Sequence, residues 1–409
     1  MRILFIAHYF QPEPNFFIAL PFAKKLVEFG HEVEVLTGFP NYPGGKVFEG
    51  YRIRPLQREI LEGIPVVRVP LYPSHDKSAI RRAISYASLA ASQSTIGTFL
   101  VKPADVAFVN QGPATLGLPA CVIRFLRQIP FVYTIQDLWP DTLEASGMFN
   151  SQLGLNMVNS WCNFVYKRAS RIVVITPGFK RKLCERGVPE NKIEVIYNWC
   201  DDSQIASGER NPQLSKSLGM EGRFNIVFAG NMGKAQSLSA VLDTAKIIAP
   251  EYPTVQFVFV GSGVEVDSLK DKATIMKLKN VLFLPRQPVS QIGAILSLAD
   301  VLLIHLKNDP LFRITVPSKT QAYMAAGRPI LIGVKGDAAD LVKKAKAGLS
   351  CEPENPQSIA EAVRKFQAMS QQELGKMGAN GRKFYEKELS FEIGARKYEK
   401  LFEAVARKS

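Results

Sequence analysis

The sequence has no long apolar run. Its best candidate, Ala83 to Val101, is broken by Ser, Gln and Thr, and a spanning helix needs roughly 18–20 uninterrupted apolar residues. No transmembrane segment is therefore expected. The opening Met1-Arg-Ile-Leu-Phe-Ile-Ala7 is too short in its apolar part for a signal peptide and runs into Gln11-Pro-Glu-Pro14 without a small-residue cleavage site. It reads as a buried first strand, and a cytoplasmic location is expected. Cysteine is sparse and unpaired: Cys121, Cys162, Cys184, Cys200 and Cys351 make an odd set without a C-x-x-C pair, so buried reduced thiols are expected. His8, His31, His75 and His305 are scattered without zinc spacing, and no metal is expected. Acidic residues are the other deficit. Lys and Arg number 51 against 37 Asp and Glu, a net charge of +14, which asks for an acidic partner. No zinc finger or aromatic-and-basic RNA signature is present. Phosphorylated substrate and an anionic lipid surface are favoured over nucleic acid. Two segments suit the lipid surface: Ser78–Val101, with Arg81 and Arg82 beside Ile80, Ile84, Tyr86 and Leu89, and the basic Trp161–Lys192 with its run Lys180-Arg-Lys182. An ordinary core-facing helix is the competing reading of the first.

What is present is a folded-protein composition. The 409 residues are 46% hydrophobic and 22% charged, with mean hydropathy of +0.00, enough for two domains. Near-continuous apolar runs recur at Ile3–Ala7, Glu32–Leu36, Val66–Val69, Val106–Val109, Phe131–Ile135, Ile172–Ile175 and Ile193–Ile196. Strands buried on both faces of a parallel sheet read this way. Between the first two, Phe17 to Phe29 has helical spacing and stops at Gly30, a helix C′ glycine. A polar linker runs from Asp201 to about Gly222. The pattern restarts at Asn225–Ala229, Val255–Val260, Val281–Leu284, Val301–Ile304 and Ile330–Ile332, and an amphipathic helix closes the chain at Phe391–Arg407. Two doubly wound α/β domains in series follow, with ligands expected at the carboxyl ends of the strands.

Five loops there carry candidate residues. Phe228-Ala-Gly-Asn-Met-Gly-Lys-Ala-Gln236 follows a strand, and Gly230 and Gly233 let backbone approach a phosphate at the start of the next helix. A tight turn without a ligand fits equally. Val260-Gly-Ser-Gly263 is a weaker second example. In Thr315-Val-Pro-Ser-Lys319, Pro317 and Ser318 start a helix with Ser318 at or near the cap. Lys319 then sits beside the positive helix end, where a cation is unfavourable unless an anion is present. In the first half, Asp137 leaves a buried strand either as a substrate-binding carboxylate or as a cap for the next segment, capping being slightly favoured. Pro40-Asn-Tyr-Pro-Gly-Gly45 suits an acceptor-binding lip or an ordinary loop.

Taken in order, His8-Tyr-Phe-Gln-Pro-Glu13, Gly30-His-Glu-Val-Glu-Val-Leu-Thr37, Pro40-Asn-Tyr-Pro-Gly44, Asp137-Leu-Trp-Pro140 and Val195-Ile-Tyr-Asn-Trp199 form one half of an ordered set. Ala229-Gly-Asn-Met-Gly233, Val316-Pro-Ser-Lys319 and Tyr323-Met-Ala-Ala-Gly-Arg-Pro329 form the other. The set resembles the retaining glycosyltransferases of family 4, in particular the branch serving colanic-acid, O-antigen and capsule synthesis. The resemblance implies the GT-B fold, two doubly wound Rossmann-like domains facing across a cleft. Residues 1–198 would bind the acceptor, with 391–409 crossing back onto them, and 199–390 would bind a nucleotide-sugar.

It further implies transfer of a hexosyl unit with retention, without metal or cofactor. The donor would be a UDP-sugar or, failing that, a GDP-sugar. A lipid-linked oligosaccharide or other glycan would accept the sugar at the inner face of the plasma membrane. Lys319 and Asp137 are the catalytic candidates. Gly230, Asn231, Gly233, Lys234, Gln236, Gly261, Gly263, Arg286, Pro317, Ser318 and Gln321 would bind donor, with Gln321 on the ribose. Gln11, Asn41, Tyr42 and Trp139 would bind acceptor. Two glutamates frequent in the family are replaced by Ala322 and, near the earlier position, Ile314. A usual Arg and Lys are replaced by Asn231 and Gln236. These departures leave open a catalytically degenerate sugar-binding or scaffold protein. A nucleotide-sugar epimerase of the same fold would need carboxylates that the loops offer sparingly.

Overall fold

The computed structural model describes residues 1–14, 19–74, 78–145, 151–201, 205 and 210–407. The chain divides into two compact units, Met1–Tyr197 with Gly394–Ser409, and Asn198–Ile393.

The first unit is built on an eight-stranded sheet. Its strands are β1 (Arg2–Ile6), β2 (Glu32–Gly38), β3 (Gln57–Leu61), β4 (Ile64–Val69), β5 (Val106–Gln111), β6 (Phe131–Ile135), β7 (Arg171–Val174) and β8 (Ile193–Val195), in the order β3-β4-β2-β1-β5-β6-β7-β8. All pairs are parallel except β3 with β4. The apolar runs mark the parallel strands. β3 escaped the reading because an edge strand of sequence Gln-Arg-Glu-Ile-Leu carries no apolar run. It turns into β4 through Glu62 and Gly63, both at positive φ (47° and 86°), a two-residue hairpin loop.

The helix expected over Phe17–Phe29 is described as Leu20–Glu28; its expected start at Phe17 and Ile18 lies outside the described residues, as does His75. It ends as anticipated. Gly30, at φ 88°, donates to Val27, and His31 donates to Leu26, the two bonds of a Schellman motif. Phe22 from this helix meets Phe5 of β1 and Phe108 of β5, and the final helix (Phe391–Ala406) adds Tyr398 and Phe402 to the same aromatic cluster. The opposite face of the sheet takes the long helical stretch after β4. Leu36, one residue along from the β2 partner of Phe5 and so on the other side of the pleat, touches Gly97 of that stretch; a Cβ at Gly97 would lie 2.9 Å from it.

The second unit carries a fully parallel sheet of β9 (Phe224–Ala229), β10 (Val255–Val260), β11 (Val281–Leu284), β12 (Val301–His305), β13 (Ile330–Gly333) and β14 (Gly348–Ser350), ordered β11-β10-β9-β12-β13-β14. Its core is apolar on both faces: Ile226, Phe228, Phe257, Val301 and Leu331 are almost fully buried on one, and Val227, Val258, Leu302 and Ile332 on the other. The linker expected from Asp201 to Gly222 falls partly outside the described residues, at 202–204 and 206–209. Its remainder contains a short helix, Pro212–Ser217, capped by the Asn211 side chain on Leu214 N–H at 3.0 Å.

Candidate functional site

In the second sheet the chain runs outward from β9 to β10 and β11, then returns to place β12 on the other side of β9. That reversal opens a crevice at the carboxyl ends of β9 and β12. Gly230 lies there at φ 136°, and the Lys319 side chain crosses over it. A Cβ on Gly230 would stand 2.8 Å from both Cε and Nζ of Lys319, so only glycine leaves room for the amine. Nζ lies 4.6 Å from the centroid of the Phe228 ring. Tyr323, one helical turn beyond Lys319 in Ser318–Ala325, fixes this approach by accepting the Ala229 N–H at 2.9 Å and donating to the Ala229 carbonyl at 3.3 Å.

Lys319 has no carboxylate or hydrogen-bond acceptor as a partner among the described residues, and burial pushes its pKa down to about 8. It is the second residue of its helix, where the dipole also disfavours a cation. The helix starts where expected, with Pro317 as the N-cap and Ser318 as the first helical residue, and no side chain caps it. Ser318 is exposed. A desolvated, unpaired ammonium beside an uncapped helix end has the character of an anion site.

The glycines at 261 and 263 have a structural occupation. A Cβ at Gly261 would stand 2.0 Å from the Gly230 carbonyl oxygen, and one at Gly263 2.3 Å from that of Met232. The two loops interlock through Gly230 N to Val260 O and Met232 N to Ser262 O, both 2.8 Å. Close approach of backbone to backbone thus accounts for both glycines without a ligand. Gln236 likewise serves the loop, its Oε1 accepting Gly233 N–H at 2.9 Å, and the helix expected near Ser237 is a short 3-10 turn followed by Ser239–Ile248.

His305 fastens this loop from beneath. Its Nδ1 lies 2.7 Å from the Gln236 carbonyl oxygen and its Nε2 accepts Glu354 N–H at 3.0 Å, which fixes a neutral ring with the proton on Nδ1; burial lowers its pKa. The Glu354 carboxylate accepts from Ser237 Oγ and Asn308 N. Sequence reasoning missed His305, Glu354 and Tyr323. Only the position of Tyr323, four residues after Lys319 on the same helix face, was a usable signal. Asn231, Lys234 and Arg286 are exposed; Arg286 follows β11, and no hydrogen bond or ion pair joins it to the Gly230 loop among the described residues. Gln321, expected on the ribose, is buried in the helix Ser318–Ala325. It is only 2% exposed, with Oε1 lacking a hydrogen-bond partner, because its helical phase turns it into the unit.

In the first unit, the switch in strand order lies between β1 and β5. The loop after β1 is tied to the loop after β2 by Glu13, whose buried carboxylate accepts N–H groups from Phe10, Asn41 and Tyr42 at 3.1, 2.8 and 2.9 Å. Burial raises its pKa, against those three bonds and Arg68. Arg68, fully buried in β4, pairs with Glu59 and donates to the carbonyls of Gly38 and Gln11. Two expected acceptor residues are thereby taken up by the scaffold. Gln11 Oε1 accepts Leu20 N–H at 3.0 Å, and Asn41, 3% exposed, donates to the Phe39 carbonyl. Tyr42 is half-buried against Tyr9, ring centroids 4.7 Å apart. Trp139 accepts from Arg186 through its carbonyl.

Asp137 does not cap the segment after it, contrary to the favoured reading: its carboxylate accepts no hydrogen bond among the described residues. It is exposed, and partial desolvation by the surrounding protein raises its pKa.

Residues 18–199 match the model of a glycosyl transferase 4-like domain and residues 210–384 that of the glycosyl transferases group 1. The chain belongs to the GT-B glycosyltransferases. It is 24% identical over 350 residues to a putative colanic acid biosynthesis glycosyl transferase of Escherichia coli, WcaI, covering 82% of this chain and 84% of that one. A probable glycosyltransferase of Pseudomonas aeruginosa, WbjE, is 24% identical over 66% of this chain and 68% of its own. Among solved structures, Anabaena Alr3699/HepE in complex with UDP and glucose superposes with a TM-score of 0.69 at 16% identity, over 99% of this chain and 100% of that one.

For this transferase the geometry separates two kinds of candidate. Lys319, Gly230 and Asp137 present unpaired or uncovered groups at strand ends, whereas Gly261, Gly263, Gln236, Gln11 and Asn41 are accounted for by loop architecture. No group of three or more His, Cys, Asp or Glu side chains that could hold a metal occurs among the described residues.

Proposed function

We propose that this glycosyltransferase moves a hexosyl unit from a UDP-sugar to a lipid-linked oligosaccharide or related glycan in cell-surface polysaccharide synthesis. The transfer retains the anomeric configuration and uses no metal. The unpartnered Lys319 ammonium over Gly230 carries the reading. As the bond between the anomeric carbon and the diphosphate breaks, negative charge grows on the leaving phosphate, and a fixed cation in a partly dry site stabilises it. The acceptor hydroxyl oxygen bonds to the anomeric carbon, and its proton passes to the departing diphosphate. Asp137 orients sugar or acceptor hydroxyls. The relatives' names support the class of product, and the UDP held by the Anabaena protein supports the choice of base.

Thermal-shift measurements against UDP, GDP, ADP, CMP and NAD test this. Selective stabilisation by UDP is expected, and Lys319→Ala removes it. In a transfer assay with a UDP-hexose, the same variant loses about 10²-fold or more in kcat, the scale for removing one transition-state donor. A response to NAD alone overturns the proposal. UDP binding without turnover of any donor would favour a sugar-binding protein, the reading that Ala322 and Ile314 keep in play.

A further inference from the structure

Three helical stretches of the first unit share an unusual outer surface. Residues 79–100, after β4, expose Ile80, Ile84, Ile96 and Phe99; these fall on one stripe filled in by exposed Ala87, Ala91 and Thr95. The neighbouring helix Gly117–Arg127 exposes Leu118, Phe125 and Leu126, and Gln152–Arg168 exposes Leu153, Met157 and Phe164. Phe99, Phe125 and Leu153 are 71%, 77% and 73% accessible. The stretches are adjacent: residues 79–100 contact 117–127, which contacts 152–168, and a Cβ at Gly117 would meet Val165 at 2.4 Å. They lie on the face of the sheet opposite the aromatic cluster. Solvent-facing helices ordinarily show charged outer faces, so a contiguous apolar one marks an interaction surface.

Charge identifies the partner. None of the three stretches contains an aspartate or glutamate, while they carry Arg81, Arg82, Arg124, Arg127, Lys167 and Arg168. Apolar side chains bordered by cations, with no carboxylate on the three stretches themselves and Asp141, Glu144 and Glu185 only beside the start of the third, match the boundary between acyl chains and anionic headgroups. No helix among the described residues is long and apolar enough to cross a membrane, so the contact is superficial. The run Lys180-Arg-Lys182, expected to contribute, is partly neutralised: Lys180 pairs with Glu190 and Lys182 with Glu185, at 3.0 and 3.4 Å.

We infer that this three-helix face adsorbs to an anionic lipid bilayer, with Phe99, Phe125 and Leu153 entering the acyl boundary and the exposed Arg81, Lys167 and Arg168 meeting lipid phosphates, while Arg124 and Arg127 tie the helices together through the carbonyls of Arg168 and Thr98. The inference is independent of which sugar is transferred. Flotation of the full chain with vesicles of phosphatidylcholine and phosphatidylglycerol tests it, against phosphatidylcholine alone. Co-flotation with the anionic vesicles that weakens as salt rises is expected. The pair Phe99→Ser and Phe125→Ser lowers the partition coefficient at least about tenfold, a conservative share of the transfer free energy of two phenylalanines. Both residues are exposed, so the variant keeps its melting temperature and its UDP response. Absence of flotation, or flotation unchanged in the variant, overturns the inference. So does concentration-dependent self-association that the variant abolishes while no vesicles are bound.

Discussion

Lys319 couples proton and ligand. Its pKa is about 8 in the ligand-free fold against an ordinary 10.5. Between those values the unfolded chain holds the extra proton, so the ligand-free protein gains stability as pH rises through that window and bears the buried charge below it. A diphosphate on the amine raises the pKa again, so UDP binding near pH 8 draws a proton from solution. Calorimetry in two buffers of different ionisation heat reads this: the apparent binding heats should differ in the sense of proton uptake and coincide for Lys319→Met. Equal heats for the unaltered protein would show that the amine does not meet the nucleotide. Asp137 shows how residue type alone misleads, because aspartate before a helix usually caps it, yet here the carboxylate stands clear of every amide in the described residues.

At the scale of elements, the loops after β9 and β10 behave as one piece, since the glycines of the second admit the backbone of the first. Gly263→Ala combines φ of 152° with a Cβ 2.3 Å from a carbonyl oxygen and is expected to lower unfolding free energy by about 2–4 kcal/mol. Gly30→Ala supplies the contrast. Its φ is 88° with nothing within 4 Å, so it should cost only about 1 kcal/mol. Urea denaturation of the two variants separates steric collision from backbone strain; equal losses would contradict the interlock.

The strands were legible in the sequence wherever both faces are buried, because an unbroken apolar run has no other easy explanation. The edge strand β3 and the three-residue β14 were not, since neither carries such a run. Of the site, Lys319 with Gly230 was legible because a cation at a helix start is an anomaly. The bond from Gln11 to Leu20 and the bridging of Gln236 and Glu354 by His305 depend on residues 9 to 69 positions apart, and no local pattern encodes them.

Taken whole, the first unit is finished by the far end of the chain. Tyr398 Oη lies 3.2 Å from Thr134 Oγ1, His31 Nε2 lies 3.1 Å from Glu399, and Phe402, wholly buried, lies 5.7 Å from Phe108 between ring centroids. Phe402→Ala should therefore cost about 3–5 kcal/mol, and the loss should appear in the unfolding of the first unit, followed by fluorescence of Trp161, its neighbour Phe164 being left unaltered. A change confined to the second unit would contradict this packing.

The same closure sets an order of events at the ribosome. The strands of the first sheet emerge early, but the helix that covers Phe22 and Phe108 is made only after the whole second unit. At synthesis rates of about 5–20 residues per second, the nascent first unit waits roughly ten seconds or longer with that aromatic face bare. The second unit, whose sequence is continuous, can complete its core first. In this chain the later-made half is the one able to mature earlier, and the interval before closure is when a chaperone has most to hold.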